Sequence, residues 1–161
     1  MTRYYTGGCQ CGAVRYRFET LGVASICHCR MCQKAAGNIF LPLVLVEGFE
    51  WTRGERGAFA SSNMSTRGFC SDCGTPLTLE TRDQVEVAIG SLDDPGAVKI
   101  AYHANIDDRL DAATQLHEIP DADPERKREN DDWNAKIRSF QHPDRDTEEW
   151  PPEFWFTDDH F

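Results

Sequence analysis

No cysteine follows Cys73 in this 161-residue chain, no apolar run approaches membrane-span length, and there is no surplus of positive charge to attract a polyanion. The missing span removes the usual means of crossing a bilayer by helix, so no membrane partner is expected. The first residues, Met1-Thr2-Arg3-Tyr4-Tyr5-Thr6-Gly7-Gly8, carry no apolar run behind a basic start, so the expected location is cytoplasmic. Formal net charge is −10, and it is unevenly spread. Residues 1–100 carry ten acidic and ten basic side chains, whereas residues 101–161 carry seventeen acidic against seven basic. An acidic balance repels phosphate backbones, so no nucleic-acid partner is expected either.

All seven cysteines lie between Cys9 and Cys73, in CxC and CxxC spacings. In a chain without export signals, clustered thiols point to metal ligation before disulfides. Buried apolar thiols account for isolated cysteines but poorly for such pairs. At 40% apolar residues, the chain is long enough for one ordinary domain with its own core and an appendage. The boundaries expected are a zinc domain over residues 1–120 and an acidic, aromatic C-terminal extension over residues 121–161.

The patterning is mainly that of strands. Residues 13–19 alternate apolar and polar side chains, as does the segment 85–89, and further strands are expected at 56–60 and 75–81. Residues 39–46 form a nearly continuous apolar run, in which Pro42 suggests an edge or bulged strand. A short helical turn fits residues 30–36, while Gly90 and Asp93-Asp94-Pro95-Gly96 read as turns. Beyond Pro120 a mixed charge run reads as a solvated helix or linker. Trp133, Phe140, Trp150, Phe154, Trp155, Phe156 and Phe161 then follow, too many rings for an ordinary disordered tail. They are expected to dock on the domain or on a second subunit, with Pro151-Pro152 keeping the chain extended between them.

Cys9-Gln10-Cys11 and Cys70-Ser71-Asp72-Cys73 have the form of two thiolate knuckles completing one tetrahedral, structural zinc site. A Cys70–Cys73 redox pair is the competing reading, but such a pair opens a helix, and Pro76-Leu77-Thr78-Leu79 reads as strand. Cys27-His28-Cys29-Arg30-Met31-Cys32 supplies three thiols and no obvious fourth ligand, which would leave a zinc ion an open position. His28, between two cysteines, is expected to turn from the sulfurs toward a hydrogen-bonding or acid/base role. Alternatively the triplet is a second structural site closed by His103 or His117. An open thiolate zinc suits an external thiol, which coordination would deprotonate and hold beside a carbonyl carbon.

Three segments resemble the glutathione-dependent formaldehyde-activating family, also called the CENP-V/GFA domain. They are Gly7-Gly8-Cys9-Gln10-Cys11-Gly12-Ala13-Val14-Arg15-Tyr16, Cys27-His28-Cys29-Arg30-Met31-Cys32-Gln33-Lys34-Ala35-Ala36-Gly37 and Gly68-Phe69-Cys70-Ser71-Asp72-Cys73-Gly74-Thr75-Pro76-Leu77. Gly90-Ser91-Leu92-Asp93-Asp94-Pro95 is similar to the family's later turn. The resemblance implies a mainly β, zinc-containing β-tent fold, followed by an irregular or partly helical C-terminal extension. It also implies two zinc ions, one structural on Cys9, Cys11, Cys70 and Cys73, the other on Cys27, Cys29 and Cys32. The family often has a basic residue after the third cysteine of the triplet; this chain has Gln33, then Lys34.

Two functions follow as expectations. The first is a carbon-sulfur lyase or synthase acting on adducts of a small, glutathione-like thiol and an aldehyde, with Cys27, Cys29, Cys32 and His28 as its site. The second is a zinc-stabilised protein-interaction module without catalysis, motivated by seven aromatic residues among the last 29. That extension could also build a homodimer.

Overall fold

The computed structural model describes residues 4–150. Phe154, Trp155, Phe156 and Phe161 of the aromatic tail, and the Pro151-Pro152 pair before them, lie outside the described residues. The chain runs through strands β1 (Tyr5–Gly8), β2 (Arg15–Phe18) and β3 (Thr20–Cys27), then helix α1 (Arg30–Ala36). Strands β4 (Leu41–Glu47), β5 (Glu50–Arg53), β6 (Gly57–Ala60), β7 (Thr66–Phe69), β8 (Pro76–Glu80), β9 (Val85–Ala88) and β10 (Ile100–Ala104) follow. Two helices, α2 (Asp111–Thr114) and α3 (Pro124–Asn134), come after the last strand.

The strands form a mainly β structure of two sheets, one ordered β1-β2-β5 and the other β10-β3-β4-β9-β8-β7-β6. All pairings are antiparallel except β10 on β3, which is parallel. Side chains of both sheets meet in one core containing Tyr16, Phe18, Val44, Val46, Leu77 and Val87. The period-two pattern of β2 explains how: Tyr16 and Phe18 leave the strand on one face and are fully buried. Tyr16 is crowded by Phe49 and Trp51, with ring centroids 5.4 and 6.0 Å away. Its hydroxyl still finds a partner, Ser91 Oγ at 2.7 Å, as a buried phenol requires.

The apolar run at 39–46 is a central strand, not an edge. β4 lies between β3 and β9 and is buried on both faces, which is why it lacks alternation. Val44 and Val46 enter the main core, whereas Leu41 and Leu43 face the opposite way and pack with Cys27, Cys32 and Ala88. Pro42 is tolerated because it pairs only with Ile26 of β3; the pairing with β9 begins one residue later, at Leu43. The irregularity in that ladder falls instead on β3, between Leu21 and Ala24. α1 forms where expected, and the turns at 90 and 93–96 include short 3-10 segments, Ile89–Ser91 and Pro95–Ala97.

The mixed charge run folds as α3, a helix with no buried residue. Asp123 caps it, its carboxylate accepting from the Glu125 and Arg126 amides at 2.9 Å, and Pro124 occupies the first turn. Beyond it the chain returns to the domain. The His142 amide donates to the Gln10 carbonyl at 2.7 Å, and the Trp150 indole N–H donates to the Cys11 carbonyl. Arg15, 2% exposed on β2, holds Asp93 and Asp146 with its guanidinium. Of the described tail aromatics, Trp150 therefore docks on the domain, while Trp133 stays 68% exposed.

Candidate functional site

Two tight turns carry the first cysteine group. In one, the Gly12 amide donates to the Cys9 carbonyl at 3.0 Å; in the other, the Gly74 amide donates to the Cys70 carbonyl at 2.9 Å. Each turn closes on a glycine with φ of +76°, a conformation costly for any side chain with a Cβ. The packing of the two sheets on one core brings the turns together. Thr75 bridges them, its hydroxyl oxygen accepting from the Gln10 amide at 3.0 Å and lying 3.2 Å from Cys73 Sγ.

The four sulfurs of Cys9, Cys11, Cys70 and Cys73 lie within 4.8 Å of one another and could hold a metal ion. All are free thiols, with Cys9 and Cys11 Sγ 3.5 Å apart and Cys11 and Cys70 Sγ 3.7 Å apart. A tetrahedral zinc ion with sulfur at about 2.3 Å needs ligand edges of about 3.8 Å, so the donor set fits that ion. Burial raises the Cys11 and Cys70 thiols. Burial would also raise Cys73, but the Thr75 hydroxyl and backbone amides outweigh it and bring that thiol down to about 6.

The second group sits where β3 ends and α1 begins. Cys27 is the last residue of β3, Cys29 is the N-cap of α1, and Cys32 lies in its first turn. Cys29 Sγ takes the place of the usual hydroxyl or carboxylate cap, accepting from the Cys32 amide at 3.4 Å. The three sulfurs lie within 4.8 Å of one another and could hold a metal ion, and among the described residues no histidine nitrogen or carboxylate joins them. His103 and His117, the candidates for closing the site, lie elsewhere: His103 bonds His28, and His117 is exposed beside Glu118.

Two polar side chains reach the sulfurs from distant segments, Arg67 on β7 and Asn105 just after β10. Asn105 Nδ2 donates to Cys27 Sγ at 3.2 Å, and Arg67 Nη2 donates to Cys32 Sγ at 3.4 Å. The hydrogen bond from Cys32, against the opposing effect of burial and helped by Cys29 and Asn105, lowers Cys27 to about 5. Cys32, as the donor in that bond and buried, moves upward despite Arg67. Glu86, on β9, is raised by burial and then by the charge of Cys27.

His28 turns from the sulfurs. Its ring is buried, edge-on to Phe40 at 6.0 Å between centroids, with Nε2 2.9 Å from His103 Nδ1. Burial, then the neighbouring charges of His103 and Arg109, lowers its pKa. Nδ1 is buried without a hydrogen-bond partner among the described residues. The backbone ties this corner as well, since the His28 amide donates to the Ala104 carbonyl at 3.0 Å. Gln33 stands where a basic residue was a family expectation. Its amide donates to the carbonyls of His28 at 2.7 Å and Asp108 at 3.1 Å, pinning the loop after β10 against α1.

Sequence reasoning did not find Arg67, Asn105 or Glu86, because their partners lie in distant segments. Asn105 had one local signal. It follows an apolar strand, and asparagine tolerates positive φ; here its φ is +53°, which aims the amide at Cys27.

A family model described as "Glutathione-dependent formaldehyde-activating enzyme" matches residues 4–108, a span containing all seven cysteines, His103 and Asn105. Among solved structures, the crystal structure of a Rhodobacter sphaeroides protein is similar at 20% identity with a TM-score of 0.48. That match covers 60% of this chain and 98% of the other.

Proposed function

Because this chain belongs to the glutathione-dependent formaldehyde-activating enzyme family, we propose that it is a zinc-dependent carbon-sulfur lyase or synthase. It would join a small, glutathione-like thiol to an aldehyde, or take the adduct apart. The observation that supports this is the inequality of the two sulfur groups, four donors in one and three in the other. A zinc ion with three protein ligands keeps a position for a further donor, whereas four thiolates enclose it. Cys9, Cys11, Cys70 and Cys73 are therefore assigned to a structural ion, and Cys27, Cys29 and Cys32 to the reactive one.

A zinc ion on the three-cysteine group would supply a Lewis-acidic seat for the substrate sulfur and make its thiol more acidic. In net terms the thiol S–H adds across the carbonyl. A carbon-sulfur bond forms, the carbonyl π pair moves to oxygen, and the thiol proton ends there as a hydroxyl; cleavage is the reverse. Asn105 and Arg67 hold Cys27 and Cys32 by their N–H groups and draw charge from the sulfurs, which keeps three crowded thiolates tolerable. His28 acts as a positioning residue, locking β10 and its Asn105 beside the cysteine loop through His103. Gln33 performs the same service for the loop ending at Asp108.

Residues 1–120 would be the working domain, with 121–161 as an extension whose Gln141–Trp150 part covers the four-cysteine turns. Seven free thiols belong in a reducing compartment, in keeping with a cytoplasmic protein. The test is exchange of carbon-13 formaldehyde with its glutathione adduct, followed by NMR on the zinc-loaded chain. Catalysed exchange that Cys29→Ala abolishes is the expected result; exchange unchanged in Cys29→Ala would end the proposal.

A second reading, a protein-binding module, draws on α3, where Trp133 is exposed on a helix that buries nothing. Trp133→Ala would then weaken self-association in sedimentation experiments without touching adduct exchange.

A further inference from the structure

Two adjoining cavities lie beside the three-cysteine group and share Ala35, Phe59 and Arg67. The first, about 400 Å3, has an apolar wall of Leu41, Leu43, Phe59, Phe69, Leu77 and Ala88. The second, about 360 Å3, is bordered by three cations, Arg30, Lys34 and Arg67. No sulfur lines either cavity, but residues of their walls contact the cysteines. Arg67 donates to Cys32 Sγ, and Leu41, Leu43 and Ala88 pack directly against Cys27 and Cys32.

Three features mark this groove as built for a ligand. The cations pair with no carboxylate among the described residues, although the chain carries a net charge of −10. Apolar side chains at its rim are left in water, with Phe59 63% and Met31 53% exposed. The apolar cavity is also far too large for a one-carbon aldehyde, since even a water molecule occupies only about 30 Å3.

We infer that this groove binds an amphipathic thioether, its anionic thiol carrier on Arg30, Lys34 and Arg67 and an apolar substituent of several carbons along Leu43, Phe59 and Leu77. The preferred aldehyde is then one with an alkyl or aryl chain, with formaldehyde a poorer substrate turned over by the same site. This rests on the carbon-sulfur reading above and adds to it the class of substrate. Charge complementarity selects one end of the ligand, and burial of apolar surface selects the other. Phe59, at the junction of the two cavities on the outermost strand β6, is the specificity-determining residue.

The test is calorimetric binding of two unreactive probes, S-methylglutathione and S-hexylglutathione, to the zinc-loaded full chain. Each fully buried methylene strengthens binding about fourfold. Five additional methylenes, half covered in a groove open on one side, give an expected preference of about 30-fold for the hexyl probe. Phe59→Ala, at an exposed edge position that folding does not depend on, should cut that ratio below about tenfold by removing half the contact. The double variant Arg30→Gln with Lys34→Gln should weaken both probes equally. Equal affinity for the two probes, or a hexyl preference that Phe59→Ala leaves unchanged, would overturn the apolar groove while the carbon-sulfur chemistry stands. Failure of both probes to bind would overturn the anionic thiol class, and the lyase reading with it.

Discussion

Replacing Cys70 and Cys29 separately by serine separates the two metal groups by their energetics. Cys70 is 1% exposed and belongs to the main core. A closed structural zinc site contributes roughly 10–16 kcal/mol. Whole domains of this size are stable by only about 5–15 kcal/mol. Losing one of four ligands, and leaving buried Cys9 and half-buried Cys11 and Cys73 uncompensated, removes more than the fold can spare. Cys29 is only half-buried, and serine is itself a preferred N-cap, so its hydroxyl keeps the contact with the Cys32 amide that Cys29 Sγ makes at 3.4 Å. What goes with the sulfur is one ligand of the half-enclosed ion, and a loss of about 1 kcal/mol there lowers the melting temperature by about 2–4 °C for a chain of this length. Calorimetry together with native mass spectrometry reads both quantities. Cys70→Ser should show no cooperative melt, and Cys29→Ser should melt within a few degrees of the parent carrying one zinc ion instead of two. A Cys70→Ser chain melting like the parent, or a Cys29→Ser chain without any zinc, would refute the assignment of one closed and one open site.

Three further outcomes follow from the same structure. Arg15→Met leaves Asp93, 12% exposed at its side chain, without its buried partner and should cost about 3–5 kcal/mol in urea denaturation; a loss under about 1 kcal/mol would contradict the burial. Gly12→Ala places a Cβ against His142 and Trp150 at a φ of +76°, so it should cost about 1–2 kcal/mol and expose residues 141–150 to protease. Glu80 is raised by burial, but Arg56 and the Thr78 hydroxyl more than reverse this, so its folded pKa lies below the ordinary carboxylate value. Its contribution, about 1 kcal/mol, is therefore complete above that ordinary value and vanishes as pH falls through the lowered one. The stability gap between parent and Glu80→Gln should accordingly narrow from about pH 6 to about pH 3, and a constant gap would contradict the pairing.

The cysteine groups are legible in the sequence because their chemistry is local. A CxC or CxxC spacing already limits two sulfurs to one turn, and Gly12 and Gly74 supply the positive φ that such turns demand. Strand periodicity was equally local, so β8 and β9 appear within a residue of where alternation placed them. The position of β4 was not local. Its apolar run and Pro42 were compatible with an edge, and only the length of β9 decided that Pro42 would face no missing partner.

By itself, the sequence determined the composition of the two sulfur groups, four and three, and the mainly β character around them, because both follow from spacings of a few residues. Tertiary structure alone decided what surrounds the three-cysteine group. Asn105 reaches Cys27 across 78 positions and Arg67 reaches Cys32 across 35, brought there by the parallel pairing of β10 with β3 and by the outer strands of the large sheet. Contacts between such separated residues have no signature in local periodicity, since they are set by which strands become neighbours and in what register.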